Sequence, residues 1–68
     1  MPVISFESGQ LSDAVKAELI EKLTTTAAEV TGIPKHLFFV SIRELPDNNI
    51  AVGGKTVEQL KWEFGKNE

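Results

Sequence analysis

Cysteine is absent from the 68-residue chain, and histidine occurs once, as His36. Without cysteine no disulfide can form and no thiolate zinc site exists, and one histidine does not make a metal cluster. Long apolar runs are missing too. No stretch approaches the roughly 18 residues that a membrane-spanning helix requires, and no charged-then-apolar leader opens the chain. Positive charge is in short supply, with seven basic residues against ten acidic ones and a net charge of −3. The basic residues (Lys16, Lys22, Lys35, Arg43, Lys55, Lys61 and Lys66) are scattered among acids. No basic stripe offers itself to nucleic acid and no basic cluster to a lipid surface. These absences point to a cytoplasmic protein whose partner is a small molecule or another copy of itself.

Length is the other shortage. Residues 1–68 hold one domain at most, and a domain this small buries a modest fraction of its surface. Small folds need a staple. With disulfides and cysteine-bound metal excluded, the staple that remains is oligomerisation.

What is there reads as strand, long helix, strand. Residues 3–7 alternate, with Val3, Ser5 and Glu7 on one side and Ile4, Phe6 and Ser8 on the other, before Gly9 breaks the run. Ser12 is a good N-cap, and Asp13 follows it where a negative charge suits the helix dipole. Position 15 is valine, so there is no capping box. Val15, Leu19, Leu23, Ala27 and Val30, with Ile20 alongside, recur at helical spacing. The run Thr24-Thr25-Thr26 lowers helix propensity, so packing must hold that turn. Gly32 can take the left-handed conformation and Pro34 forbids continuation. The helix is therefore expected over about 13–31, about 28 Å long.

After a turn at 34–36, residues 37–45 are aromatic and β-branched and read as a second strand. Phe38, Val40 and Ile42 share one face, and Phe39, Ser41 and Arg43 the other. Residues 46–49 form a turn, 50–54 a small hairpin or strand extension, and 55–64 a last helical turn or two with Val57, Leu60 and Phe64 at helical spacing. A frayed tail is expected over 65–68. A helical crossover between two strands favours parallel pairing with a right-handed connection. One helix covers only one face of two strands. The face carrying Phe39 must be covered by something this chain does not contain, a second argument for an oligomer.

Several motifs invite chemistry. Gly54-Lys55-Thr56 resembles the end of a phosphate-binding loop, but the glycine that the pattern needs five residues before Gly54 is Asn49, so a Gly-Gly turn is the better reading. His36 reads as a surface turn residue, and Trp62 with Phe64 as a docking contact onto a neighbouring subunit. Pro2 has two readings. A proline is tolerated at a strand start. If Met1 is removed, however, Pro2 becomes a free secondary amine. An α-amine titrates near about 8, and an apolar surround of Ile4, Phe6, Phe39, Ile50 and Val52 would lower that further. Such an amine is a general base near neutral pH, or a nucleophile toward a carbonyl.

Met1-Pro2, Ser12-Asp13 opening a long helix, Pro34 after the helix stop, the aromatic second strand and the run Ile50-Ala51-Val52-Gly53-Gly54-Lys55 together resemble the 4-oxalocrotonate tautomerase family, over about residues 2–56. The resemblance implies an α/β fold: a β-α-β protomer with two parallel strands, one long helix and a short C-terminal hairpin. It implies assembly into dimers and then a homohexamer, a trimer of dimers, with an active site shared between subunits and no metal or cofactor. It also implies an isomerase in which Pro2 moves a proton between the enol and keto forms of a small unsaturated 2-hydroxy or 2-oxo acid.

The family's substrate-binding arginines do not carry over. Leu11, beside Gln10, and Phe39 stand at their positions, and Ile50 stands where the late hairpin has an aromatic residue. An arginine fork suits a carboxylate, so its loss shifts the expected substrate away from dicarboxylates. Arg43, the only arginine, shares a face with Phe39 about 13 Å along the strand. It cannot replace a residue at position 39 in its own subunit. The candidates for a replacement charge, through a neighbouring copy, are Arg43, Lys35, His36 and Lys55. The candidate substrate-binding set is Arg43, Phe39, Leu11 and Ile50, with Pro2 catalytic. Two other functions fit the residues: a non-catalytic oligomeric scaffold or ligand-binding module, and a hydratase or dehalogenase activity on the same proline. Phe39 suits an aromatic, phenylpyruvate-like substrate.

Overall fold

Two parallel strands and the helix that connects them form the frame of the molecule. In the computed structural model, which describes residues 1–65, β1 is Val3–Ser8, α1 is Asp13–Thr31 and β2 is Phe39–Glu44, followed by β3 (Ala51–Val52), β4 (Lys55–Thr56) and α2 (Val57–Gly65). Short 3₁₀ turns at Lys35–Leu37 and Asp47–Asn49 precede and follow β2. The expected order is the observed one. The frayed tail falls largely on residues 66–68, outside the described residues, while Gly65 closes α2.

The ends of α1 follow from their sequences. Ser12 stays extended (φ −69°, ψ 158°) and its hydroxyl accepts the Val15 N–H. Gly32 takes φ 76°, left-handed, and donates to the Ala28 carbonyl at 2.9 Å. The middle is held differently from the expectation of one apolar stripe. Leu19, Leu23 and Ala27 are half-buried, but so are Thr24 and Thr25, while Val15 faces out and Val30 is 82% exposed. The covered face runs through the threonines rather than the two outer valines. Thr24 satisfies its hydroxyl within the helix by donating to the Ile20 carbonyl at 2.7 Å, which is how a polar residue is tolerated there.

β1 and β2 pair in register, Val3 with Phe39, Ser5 with Ser41 and Glu7 with Arg43. The ladder begins where the Phe39 N–H donates to the Pro2 carbonyl at 3.0 Å and ends where Leu45 N–H donates to Ser8 at 2.9 Å. α1 lies over β2 and covers the side carrying Ile4, Val40 and Ile42, which are half-buried. The opposite side carries Val3, Ser5, Glu7, Phe39, Ser41 and Arg43, all exposed, with Val3 at 65% and Phe39 at 55%.

β3 and β4 form an antiparallel hairpin, Val52 opposite Lys55. Gly53 (φ 61°) and Gly54 (φ 86°) turn it. Two successive positive φ values are the demand of a type I′ turn, which glycine alone meets without strain. The Gly-Gly turn reading of this stretch therefore holds.

Among the described residues none is buried. The radius of gyration is 15.7 Å and the extents are 46 × 23 × 18 Å, where a compact domain of this length has a radius near about 11 Å. The exposed surface is 5335 Å², against about 4200 Å² for a compact monomer of this mass. An isolated chain of this shape has no interior, so its apolar sheet face lacks the cover that a parallel pair ordinarily has.

Candidate active site

The strand register sorts the candidate residues into two groups. Pro2 lies at the start of β1, half-buried, and its carbonyl is tied to the backbone of Phe39. The bond fixes Pro2 to the sheet edge, so its ring nitrogen is held where a fraying terminus would let it wander. The Phe39 side chain emerges on the open face beside Val3.

Leu11, Arg43 and Ile50 lie at the other end. Leu11 donates its N–H to Glu44 Oε2 at 3.0 Å, at the close of β2. Arg43 faces Glu7 across the ladder, Nη1 to Oε1 at 4.0 Å. Ile50 lines a cleft of about 520 Å³ with Ser8, Gln10, Leu45, Asp47 and Lys61. Four residues of strand separate this end from Phe39, about 13 Å. Ile50 therefore does not surround Pro2 of its own chain. Residues from both groups can share a site only when the end of one copy meets the far end of another.

The Leu11 end is anchored by charge. Glu44 accepts from Leu11 N–H and from Lys16 Nζ at 2.7 Å, and Lys16 also reaches Asp13 at 3.4 Å. The hydrogen bond from Lys16, then that from the Leu11 backbone, hold the Glu44 carboxyl below the ordinary carboxylate range. The bond to Glu44 in turn raises Lys16 above its ordinary value. This junction fixes the β1–α1 loop to the end of β2, and with it the position of Leu11. It spans 33 residues of sequence, so no local pattern announces it.

A second feature had a readable signal. Thr56 N–H donates to Gln59 Oε1 at 2.9 Å, and Gln59 N–H donates to Thr56 Oγ1 at 3.1 Å. That is a reciprocal capping box, announced by a threonine followed three residues later by glutamine. It starts α2 and makes a helix of nine residues from what reads as a turn or two. Trp62 and Phe64 on it are 64% and 67% exposed. His36 is exposed in its turn, as expected. Among the described residues no group of three or more His, Cys, Asp or Glu side chains is placed to hold a metal ion, and no helix is long and apolar enough to cross a membrane.

Residues 2–60 match the model of the family described as tautomerase enzyme. The chain belongs to the tautomerase family. A probable tautomerase of Bacillus cereus is 39% identical over 57 residues, which cover 81% of this chain and 92% of that protein. A 4-oxalocrotonate tautomerase isozyme from Methylibium petroleiphilum superposes with a TM-score of 0.83 at 28% identity, over 87% of this chain and 97% of its own. A heterohexamer 4-oxalocrotonate tautomerase from Chloroflexus aurantiacus gives a TM-score of 0.73 at 30% identity, over 87% and 94%. The family and the β-α-β fold expected from Met1-Pro2 and the Gly53-Gly54 hairpin are thus the ones found. Family membership supports an isomerase of the tautomerase type.

Proposed function

We propose that the chain, as a single domain and after removal of Met1, is a cytoplasmic tautomerase in which Pro2 is the general base. The observation that carries this is the placement of Pro2: next to Met1, half-buried, and pinned through its carbonyl to Phe39. Met1 removal frees a secondary amine at that fixed point. Next to apolar side chains such an amine loses its proton more readily than in water, which suits a base working near neutral pH.

The reaction balances without a redox step. The neutral Pro2 amine takes the proton from the 2-hydroxyl of an enol acid. The electron pair moves through the conjugated system, the C–O bond becomes a carbonyl, and the prolinium returns a proton to carbon. Leu11, Phe39 and Ile50 line the substrate in this reading, with the replacement charge supplied by one of the chain's remaining cations. Because three apolar residues stand at these positions, the favoured substrate carries one carboxylate and an apolar or aromatic remainder.

The active form is proposed to be a homo-oligomer, with a hexamer suggested by the Chloroflexus aurantiacus relative. Two features support it: the uncovered sheet face and the division of the candidate residues between opposite ends of one protomer. The test begins with intact mass to establish Met1 loss. Pro2→Ala is then compared with Met1-free protein on several enols, including phenylenolpyruvate. A loss of about 100-fold or more in kcat/KM is expected for a general base, and equal rates in the two proteins would remove Pro2 from the chemistry.

A further inference from the structure

Positive charge is distributed unevenly, and its pairing more unevenly still. Lys16 is paired with Glu44 and Asp13, Lys22 with Glu18, Arg43 with Glu7, Lys55 with Glu63, and Lys61 with Asp47. Among the described residues, Lys35 is the one lysine or arginine with no carboxylate within 4.0 Å. It opens the 3₁₀ turn Lys35–Leu37. That turn leads directly into β2, whose first residue, Phe39, bonds to Pro2. The Lys35 carbonyl accepts from Phe38 N–H at 3.1 Å, so its backbone is fixed one turn from that bond while its side chain is exposed.

The surrounding sequence leaves this charge uncompensated. Residues 1–6 and 31–41, which build the Pro2 end, contain Lys35 and His36 and no acid. The acid nearest to Lys35 in sequence is Glu29, in the last turn of α1, and Glu7 follows the first of these segments. The cleft at the opposite end has two carboxylates, Glu7 and Asp47, among its lining residues, and its one lysine, Lys61, is 2.9 Å from Asp47. An anionic ligand meets repulsion there and attraction at the Pro2 end.

We infer that Lys35, in the turn that leads into the strand bonded to Pro2, is the cation of the same protomer that receives the carboxylate of the substrate, taking over the function for which Phe39 and Leu11 have no charge. The inference rests on the reading of Pro2 as the reacting group. A lysine is a point charge on a flexible stem, without the planar fork of arginine. It therefore holds one carboxylate and orients it loosely, which fits a monocarboxylate with an apolar body stacked on Phe39. The charge is solvent-exposed, so its contribution falls with ionic strength.

The test separates binding from turnover. Cinnamate, an unreactive aryl monocarboxylate, is titrated into Met1-free protein, Lys35→Ala, Lys35→Arg and Lys35→Glu, with cinnamamide as the uncharged control. The expected result is about 10-fold weaker cinnamate binding for Lys35→Ala, a greater loss for Lys35→Glu, retention for Lys35→Arg, and no change for cinnamamide. For phenylenolpyruvate the same variants should raise KM more than they lower kcat. Cinnamate that does not bind, or that binds wild type and Lys35→Ala alike, overturns the inference. Lys35-dependent binding in a protein that turns over no enol sustains the inference and rejects the tautomerase chemistry.

Discussion

The two ends of the β1–β2 sheet are built from opposite materials. The end that begins with Pro2 and Phe39 is apolar, carries Lys35 and His36, and has no acid between residues 1 and 6 or 31 and 41. The end that closes with Ser8 and Glu44 is dense with paired charge: Glu44 with Lys16, Glu7 with Arg43, Asp47 with Lys61. The first end has its reactive candidate and an unpaired cation. The second has a cleft of about 520 Å³ but has spent its cations on its own carboxylates. The reactive candidate lies at one end and this cleft at the other, and one strand length keeps them apart within a protomer. That difference is the physical reason to expect a site completed between copies.

The comparison breaks most sharply at Pro2, where Pro2→Ala is expected to cost about 100-fold or more in kcat/KM. The converse change at the other end, Arg43→Ala, separates the two ends. If no neighbouring copy brings Arg43 to Pro2, kinetics with an anionic enol stay unchanged and Arg43 is excluded as the carboxylate-binding charge.

The requirement for a second copy is tested on the open face between the two ends. Ser41→Lys places a charge at an exposed position of the isolated chain. On a free monomer surface such a change is worth within about 0.5 kcal/mol. On a face covered by another subunit it buries an unpaired charge, which costs several kcal/mol. Sedimentation velocity is expected to show wild-type oligomers and smaller species for Ser41→Lys. Wild type running as a folded monomer would undo the argument from the uncovered sheet.

Local chemistry made most of the fold legible. Ser12, Gly32 and Pro34 bound α1 because caps act within a turn, and the 38/40/42 and 39/41/43 alternation sorted β2 because side chains alternate in a strand. The single apolar stripe misread α1, since Thr24 meets its hydrogen-bond need on its own helix and tolerates the covered face that Val30 does not take. The Thr56-to-Gln59 capping box was written in the sequence and sets the full length of α2. The site was less legible. Pro2 stands out by its place after Met1, but the pairing that leaves Lys35 alone depends on contacts such as Lys16–Glu44, 28 residues apart, and Lys61–Asp47. Which cation is free is a property of the folded chain, and seven scattered basic residues do not reveal it.

A smaller effect is expected from the cap of α2. Thr56→Ala removes the acceptor for Gln59 N–H, and N-cap losses of this kind cost about 1 kcal/mol. Hydrogen exchange should quicken in residues 57–61 while β1 and β2 keep their protection. Equal quickening in both would mean that α2 and the sheet unfold as one unit.

The mildest prediction concerns the charge junction and has a defined sign. Glu44 is held below its ordinary pKa in the folded chain, first by Lys16 and then by Leu11 N–H. Its contribution to stability is therefore present above the unfolded carboxylate value and is lost as pH falls through the lower, folded one. Lys16 is raised, chiefly by the bond to Glu44. Its contribution is complete below the unfolded lysine value and fades as pH climbs through the higher, folded one. Both side chains keep about a third of their exposure, 29% for Lys16 and 30% for Glu44, so solvent screens the pair and the effect stays small. Glu44→Gln keeps an acceptor for Leu11 N–H and removes the charge. Its melting temperature should fall slightly below wild type at pH 7 in low salt, and converge with wild type both in acid and at high ionic strength. A gap that persists at low pH would mean that Glu44 holds the β1–α1 loop by shape rather than by charge, and that the two ends of the sheet differ less in electrostatics than in packing.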